Sequence, residues 1–188
     1  MGGSLFSGAG LINLVFGIYI FILMLRFALH ASLVDQYNPL VESVLKATNW
    51  LVNPIQSVLR PIAGRFSIAT VVAAIIVKMI ALALSGFLGF GIVPLLVLSL
   101  ASAIEALLQV YFYALILLVI MSWVAPKGDN PAAVLVWQLT EPVMAPLRRV
   151  IPPIGMFDLS PIVAFILINL LQHGVTVAAQ HILVSIAS

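Results

Sequence analysis

The chain contains no cysteine and very little charge. Of its 188 residues, 7% are charged and 63% are hydrophobic, whereas about 25% of residues are charged in soluble globular proteins. The absence of cysteine excludes disulfides, thiolate metal sites, cysteine nucleophiles and palmitoylation. The scarcity of charge indicates that lipid, rather than water, surrounds most of the folded chain.

Recognisable catalytic motifs are also missing. The sequence has no Gly-rich phosphate loop, no G-x-S-x-G nucleophile elbow and no H-E-x-x-H metal motif. His173 and His181 would lie about 12 Å apart along one helix, so they cannot hold the two faces of one haem. We therefore expect a protein that is not an enzyme, with no metal site and no cofactor.

The chain repeats itself. The segment from Asn38-Pro39 to Pro61 aligns without a gap on the segment from Asn130-Pro131 to Pro153, and apolar stretches flank both copies. We expect two repeats, residues 1–91 and 92–188, each with a span, an amphipathic segment and a second span. Because each repeat crosses the membrane twice, the copies share one orientation. The predicted fold is an all-α membrane protein with four transmembrane helices as two parallel repeats.

The apolar stretches place the spans near residues 11–33, 67–84, 92–124 and 160–184. The third span would be about 50 Å long, so we expect it to be tilted or to bend at its entry near Pro94. Ser160-Pro161 supplies an N-cap and a first-turn proline for the fourth span. Helical spacing of apolar residues predicts the amphipathic segments, the first as two helices broken near Asn53-Pro54.

The basic residues predict the orientation. Two connections, between spans one and two and between spans three and four, contain Lys46, Arg60, Arg65, Lys127, Arg148 and Arg149. The N-terminal segment, the middle loop and the C-terminus contain none, so both amphipathic segments should be cytoplasmic and both termini periplasmic. Arg26, near the inner end of the first span, is expected to extend to the interface.

Lys78 lies about 17 Å into the second span, near the centre of the bilayer. Aligning the copies puts Asn169 at the same depth, which predicts a polar seam that conducts an ion or proton; an interhelical hydrogen bond or a snorkelling lysine is the alternative. Glu105 should lie near the outer interface, and whether it pairs with Lys78 stays open. Asn13 and Gln109 are expected to make interhelical contacts.

Arg148 and Arg149 lie on the polar edge of the second amphipathic segment. They are expected to bind lipid phosphates, each with about 1 kcal/mol near an anionic surface, or a protein partner. Asp158 is expected to pair with either arginine or to assist the Ser160 cap.

The second amphipathic segment resembles the motif of the YggT family of bacterial membrane proteins. The resemblance is carried by Pro142-Val143-Met144-Ala145-Pro146-Leu147-Arg148-Arg149-Val150-Ile151-Pro152 and then Gly155, Asp158, Ser160 and Pro161. It implies an inner-membrane protein, with family links to osmotic-stress tolerance, to cell-division gene neighbourhoods and, in plastid relatives, to nucleoid distribution and b-type haem maturation. The first copy has Trp50, Gln56, Ser57 and Ser67 at the positions of Pro142, Arg148, Arg149 and Asp158, so only the second copy can use the motif.

These observations predict a scaffold, assembly or osmotic-stress tolerance factor of the bacterial inner membrane, acting through Arg148, Arg149 and Asp158. Its expected partners are anionic lipid head groups and a membrane protein or further copies of itself, with no direct nucleic-acid contact. The alternative is a small ion channel or transporter lined by Lys78 and Asn169, with Glu105 nearby.

Overall fold

The computed structural model describes residues 8–59, 62, 66–124, 130–151 and 158–187, and these ranges are almost entirely helical. They form six α-helices: α1 (Gly8–Ala31), α2 (Pro39–Gln56), α3 (Ile68–Leu84), α4 (Ile92–Val124), α5 (Pro131–Val150) and α6 (Ser160–Ala187). Within the same ranges, the only β-type pairing joins Ile62 and Phe66. The prediction of an all-α protein is confirmed.

Three helices are long and apolar enough to cross a membrane, namely Gly8–Ala31, Ile92–Val124 and Ser160–Ile186. The fourth apolar helix, α3, has 17 residues, or about 25 Å, against a hydrocarbon core of about 30 Å. The sequence placed all four helices within a few residues of their observed ends. That all four cross the membrane stays a prediction.

The helix α4 lies at the centre of the structure, in contact with α1, α3, α5 and α6. The helix α3 packs against α1, α2 and α4, and most of its buried residues are small, with Ala69, Ala73, Ala74 and Ala81 fully buried. Small residues let neighbouring helices approach closely, which favours packing where the hydrophobic effect is weak. A second cluster joins Leu115 of α4, Met144 of α5 and the first turns of α6.

The connection from α3 to α4 is a 3-10 turn, Phe87–Phe90, flanked by Gly86 and Gly91. Both glycines have positive φ, +90° and +87°, a conformation that a side chain would strain. Pro94 falls in the first turn of α4, where a backbone N–H has no partner within the helix, so it does not interrupt α4. The long third apolar helix therefore runs unbroken over 33 residues.

Both amphipathic segments are single helices that begin in the same way. Asn38 accepts a hydrogen bond from Leu40 N at 3.0 Å, Asn130 accepts one from Ala132 N at 2.8 Å, and a proline follows each asparagine. The predicted break near Asn53-Pro54 is wrong. Pro54 lies in the last turn of α2, where it removes one backbone hydrogen bond from a helix that ends two residues later.

The turn after α1 joins the two amphipathic helices. The Asn38 side-chain amide donates to the backbone carbonyl of Pro131 at 3.1 Å, and the Ser32 hydroxyl donates to the carbonyl of Leu139 at 3.3 Å. Hydrogen bonds thus join the start of α2 to the start of α5, and the residue after α1 to the middle of α5.

The sequence predicted that the Arg26 side chain extends to the membrane interface. In the structure it is instead buried within the protein, with 3% of its surface exposed. Its Nη1 donates to the Thr48 hydroxyl at 2.8 Å and to Asn49 Oδ1 at 2.7 Å. The helix α2 lies across this end of α1 and supplies the oxygen atoms that interfacial water would otherwise provide. Arg26 therefore holds α2 against α1.

We expect Thr48→Val to lower the free energy of unfolding by about 1–3 kcal/mol, because it removes an acceptor from a buried cation. Thr140 is the matched control: it occupies the same position in the second copy and is equally buried, but its hydroxyl donates only to the backbone carbonyls of Val136 and Trp137. Denaturant unfolding of the purified protein in detergent measures both variants. Equal losses would contradict this role for Arg26.

Candidate functional site

The helix α5 carries two prolines, Pro142 and Pro146, within its last three turns. Each proline removes the N–H that would bond to the carbonyl four residues earlier. Both are exposed, and the opposite face of the helix buries Met144 completely. The part of the motif from Pro142 to Val150 thus lies in one continuous helix, with an apolar buried face and an outer face that lacks some backbone donors.

Arg148 connects α5 to the start of α6. Its Nη1 lies 2.9 Å from Glu141 Oε2, and its Nε lies 3.1 Å from Asp158 Oδ2. The other oxygen of Asp158 accepts a hydrogen bond from Ser160 N at 2.9 Å. Asp158 therefore has both of the roles anticipated for it, pairing with an arginine and capping α6.

The environment of Asp158 favours its charged form. Burial alone would raise its pKa, but the hydrogen bonds from the Ser160 backbone N–H and from Arg148, together with the Arg148 charge, hold the pKa below its ordinary value. A carboxylate that stays ionised keeps the Arg148 contact in place at neutral pH.

Arg149 differs from its neighbour. It is exposed, and among the described residues no acidic side chain pairs with it. The sequence predicted the same ligand-binding role for both arginines. In the structure Arg148 forms ion pairs within the protein, whereas the exposed Arg149 can contact a ligand.

Exposed tryptophans lie at the same end of the molecule as Arg149. Trp50 of α2, Trp123 at the end of α4 and Trp137 of α5 are 69%, 85% and 50% exposed, and they are the three tryptophans of the chain. Tryptophan concentrates at membrane–water interfaces, where the ring meets lipid and the indole N–H meets water. This end of the molecule has the composition of an interfacial surface.

Sequence reasoning missed Glu141, which is half-exposed beside Arg148. The signal was available, because residues seven apart lie on one face of a helix two turns from each other. In the first copy, Asn49 occupies the position of Glu141 and accepts from Arg26. Each copy therefore binds a guanidinium at this position, supplied by α1 in the first copy and by α5 itself in the second.

The polar residues within the apolar helices form a different set from the predicted one. Glu105 accepts a hydrogen bond from the Thr176 hydroxyl at 2.9 Å, and its charge acts on Lys78, which is half-buried. Asn169 is exposed and donates to the carbonyl of Phe165 in its own helix. Among the described residues, no hydrogen bond joins Asn169 to Lys78, and no ion pair within 4.0 Å joins Lys78 to Glu105.

The two copies carry a matched pair of contacts between their apolar helices. Asn13 of α1 donates to the Ser85 hydroxyl of α3 at 3.3 Å, as predicted for an interhelical contact, and Glu105 and Thr176 occupy corresponding places on α4 and α6. Gln109, for which a similar contact was expected, is exposed. No described residue forms a hydrogen bond with its side chain.

We expect Arg148→Gln, which copies Gln56 of the first repeat, to lower the free energy of unfolding by about 1 kcal/mol, because it breaks a network of two partly exposed ion pairs. Arg149→Ser, which copies Ser57, should change it by less than about 0.5 kcal/mol. Thermal unfolding in detergent at neutral pH measures both. A larger loss for Arg149→Ser would contradict the division between the two arginines.

The effect of Arg148→Gln should also depend on pH. The folded-state pKa of Asp158 lies below its unfolded value, so its contribution to stability is complete above about pH 4 and is lost as the pH falls through the folded pKa. The difference between wild type and Arg148→Gln should therefore shrink below about pH 4. A difference that stays constant down to pH 2 would contradict the contribution of Asp158.

Comparison with known proteins gives one family and several relatives. The profile of the CCB3/YggT family matches residues 5–88 and again residues 97–179. The chain is 38% identical to an uncharacterised protein of Pseudomonas aeruginosa over 160 residues, 82% of this chain and 81% of the relative. It is 29% identical to the uncharacterised protein YggT of Escherichia coli K12 over 174 residues, 90% of this chain and 89% of the relative.

A plant protein also matches part of the chain. It is the chloroplastic protein CCB3 of Arabidopsis thaliana, which is named for cofactor assembly of complex C. It is 35% identical over 82 residues, 43% of this chain and 46% of the relative. No solved structure shows a significant match.

Proposed function

The chain belongs to the CCB3/YggT family, and from that premise we propose that it is a non-enzymatic scaffold or assembly factor of the bacterial inner membrane that serves osmotic-stress tolerance. Its working surface is the outer face of α5 with Arg149. Arg148 and Asp158 hold that surface in position, and the contact is with anionic lipid head groups and a membrane-protein partner.

The proposed topology has four spans, α1, α3, α4 and α6, with α2 and α5 on the cytoplasmic face and both termini periplasmic. Its support is the distribution of charge: Lys46, Arg148 and Arg149 lie at one end of the helices, and Arg60, Arg65 and Lys127 belong to the same two connections. The connection between α3 and α4 has no basic residue. Basic residues concentrate in cytoplasmic loops, and α3 can span a slightly thinned bilayer despite its length.

The observation that carries the proposal is the contrast between the two arginines of the motif. Within the described ranges Arg149 has no acidic partner whereas Arg148 has two, so Arg149 is available to bind an anionic group. The adjacent Val150 is 80% exposed and adds apolar surface beside Arg149. An exposed cation among exposed apolar residues suits an amphipathic contact at the membrane surface.

The assembly role is supported by the plant relative, whose name describes cofactor assembly of complex C. That protein matches less than half of this chain, so the proposal takes from it the class of activity and not the substrate. The chain has few polar groups and presents two amphipathic helices at the same end of the molecule. These features suit a protein that holds another protein at the membrane better than an enzyme that acts on it chemically.

A specific observation favours a second candidate, a small ion channel or transporter. Lys78 of α3, Glu105 of α4 and Thr176 of α6 form a polar set within three apolar helices. Ionisable residues within a membrane usually line a path or pair with each other. On this view Lys78 and Glu105 would be path residues.

We expect Arg149→Ser to reduce binding to the partner about tenfold, because a hydrogen bond to a charged group contributes about 1.5–3 kcal/mol. A photocrosslinking residue at Val150, used in native membranes, captures the partner next to Arg149, and the adduct is quantified on a gel. Lys46→Ser is the matched control, since it removes one exposed positive charge at the same end of the molecule. An adduct unchanged in Arg149→Ser, or reduced equally in Lys46→Ser, would refute the proposed surface.

The second candidate has its own test. If the protein is a scaffold, the purified chain in liposomes conducts no more ions than empty liposomes. Ion flux that disappears in Lys78→Leu and persists in Arg149→Ser would replace the scaffold proposal with the channel. Flux that is unaffected by Lys78→Leu would not support a path past Lys78.

A further inference from the structure

One face of α6 is polar although the helix is long and apolar enough to cross a membrane. Asn169, His173, Thr176 and Gln180 are all exposed. Their spacing of four, three and four residues puts them on one side of the helix. We call these four residues the α6 stripe.

The rest of the chain leaves the α6 stripe exposed and forms a hydrogen bond with it only through Glu105 of α4, within the described residues. The helix α6 packs against α4 and α5 and buries a different face, with Ala164, Ile168 and Ala179 at 0%, 4% and 9% exposed. Asn169 bonds to its own helix and Thr176 to Glu105. Within the described ranges, His173 and Gln180 have no hydrogen-bond partner.

Such a face is costly in lipid. Asn169 lies about 14 Å and His173 about 20 Å along α6 from Ser160, within a hydrocarbon core of about 30 Å. Polar side chains at that depth normally bond to another helix, since hydrocarbon offers no donor or acceptor. The α6 stripe therefore requires a partner from outside the chain.

The spacing of the stripe indicates the form of that partner. Ile162 and Ile166, 57% and 62% exposed, extend the stripe towards the start of α6, and the six positions alternate between four and three residues. This is the seam of a left-handed helix pair, in which residues recur every 3.5 positions on average. A second helix nearly parallel to α6 would cover all six side chains.

The chemistry of the stripe indicates that this helix is α6 of a second copy. In a two-fold dimer about an axis along the membrane normal, each residue faces its own counterpart at the same depth. Asparagine, glutamine, threonine and neutral histidine each have a donor and an acceptor, so each can bond to its own copy. Lysine, arginine and ionised glutamate cannot, and the stripe contains none of them.

We propose that the chain forms a homodimer through the α6 stripe, with Asn169 and His173 paired across the two-fold axis. The proposed dimer contact uses residues of α6 alone, so it does not depend on the function proposed for Arg149. In this dimer Asn169 contributes to a contact between two chains, whereas the sequence predicted a place for it in an ion or proton path through one chain.

Cysteine crosslinking tests the dimer directly, because the chain has no cysteine of its own. Asn169→Cys and His173→Cys should form a disulfide-linked dimer when native membranes are oxidised, since a disulfide requires Cα atoms about 4.4–6.8 Å apart. Leu171→Cys is the matched control: it lies at the same depth and is 55% exposed, but on another face of α6. Crosslinking at positions 169 and 173 with little at 171 supports the proposal.

Three outcomes would overturn the proposal. Equal crosslinking at positions 171 and 173 would mean random collision, and a disulfide adduct with a different protein would mean a heterologous partner. Labelling of His173→Cys by a water-soluble maleimide in intact membranes would mean a water-lined path.

A second measurement does not depend on introduced cysteines. In mass photometry, lipid nanodiscs that hold the wild-type protein should exceed empty nanodiscs by the mass of two chains. His173→Leu, which suits a lipid-exposed helix and should fold, should weaken dimerisation about threefold, the usual effect of one interhelical hydrogen bond. A wild-type chain that is monomeric in nanodiscs at all lipid ratios would refute the dimer.

Discussion

Polar groups buried where α2 and α5 pack on the apolar helices need hydrogen-bond partners from the protein itself. The structure depends on supplying these partners at the end of the molecule that contains α2 and α5. All charged residues except Lys78 and Glu105 lie in or beside the two connections that contain α2 and α5. There, asparagine side chains cap both helices, α2 provides oxygen atoms for Arg26, and Asp158 caps α6. These polar contacts add to the buried apolar residues Val41, Val52, Leu139 and Met144 in fixing the two amphipathic helices against the apolar helices.

In each copy a guanidinium group is held by acceptors on the amphipathic segment or next to it, but the acceptors are neutral in the first copy and charged in the second. This difference bears on function. In the first copy the guanidinium comes from α1 and meets neutral acceptors on α2. In the second copy Leu118 stands at the position of Arg26, and Arg148 on α5 meets two carboxylates. The second arrangement joins α5 to the segment that begins α6 through their own side chains, and no acidic residue of the described ranges pairs with the neighbouring Arg149. The first copy, with Gln56 and Ser57, has no such arginine.

Local signals in the sequence predicted the helices well, because they act within a turn of the residue that carries them. Asn-Pro and Ser-Pro mark helix starts, glycine marks the turn before α4, and long apolar runs mark the helices between. The break at Pro54 was predicted wrongly because a proline in a last turn costs little. The prediction for Arg26 failed because the burial of Arg26 depends on α2 folding back over α1. That contact joins residues about twenty positions apart, and no local sequence pattern shows it.

The candidate site was predictable in composition but not in the role of each residue. The motif identified Arg148, Arg149 and Asp158, and helix geometry would have added Glu141. Which arginine turns inward depends on where α6 begins, because Asp158 precedes it and fixes the position of the carboxylate. Likewise, the sequence marked Lys78, Glu105 and Asn169 as unusual, but only the packing of α4 against α6 joins Glu105 to Thr176 and leaves Asn169 on an outer face.

The Asn38 side chain has a consequence for how the molecule responds to load. Its oxygen starts α2 while its nitrogen holds the carbonyl of Pro131, the first residue of α5. A pull on α5 is therefore transmitted to α2 and, through Arg26, into α1. A displacement of either amphipathic helix then acts on both copies of the repeat.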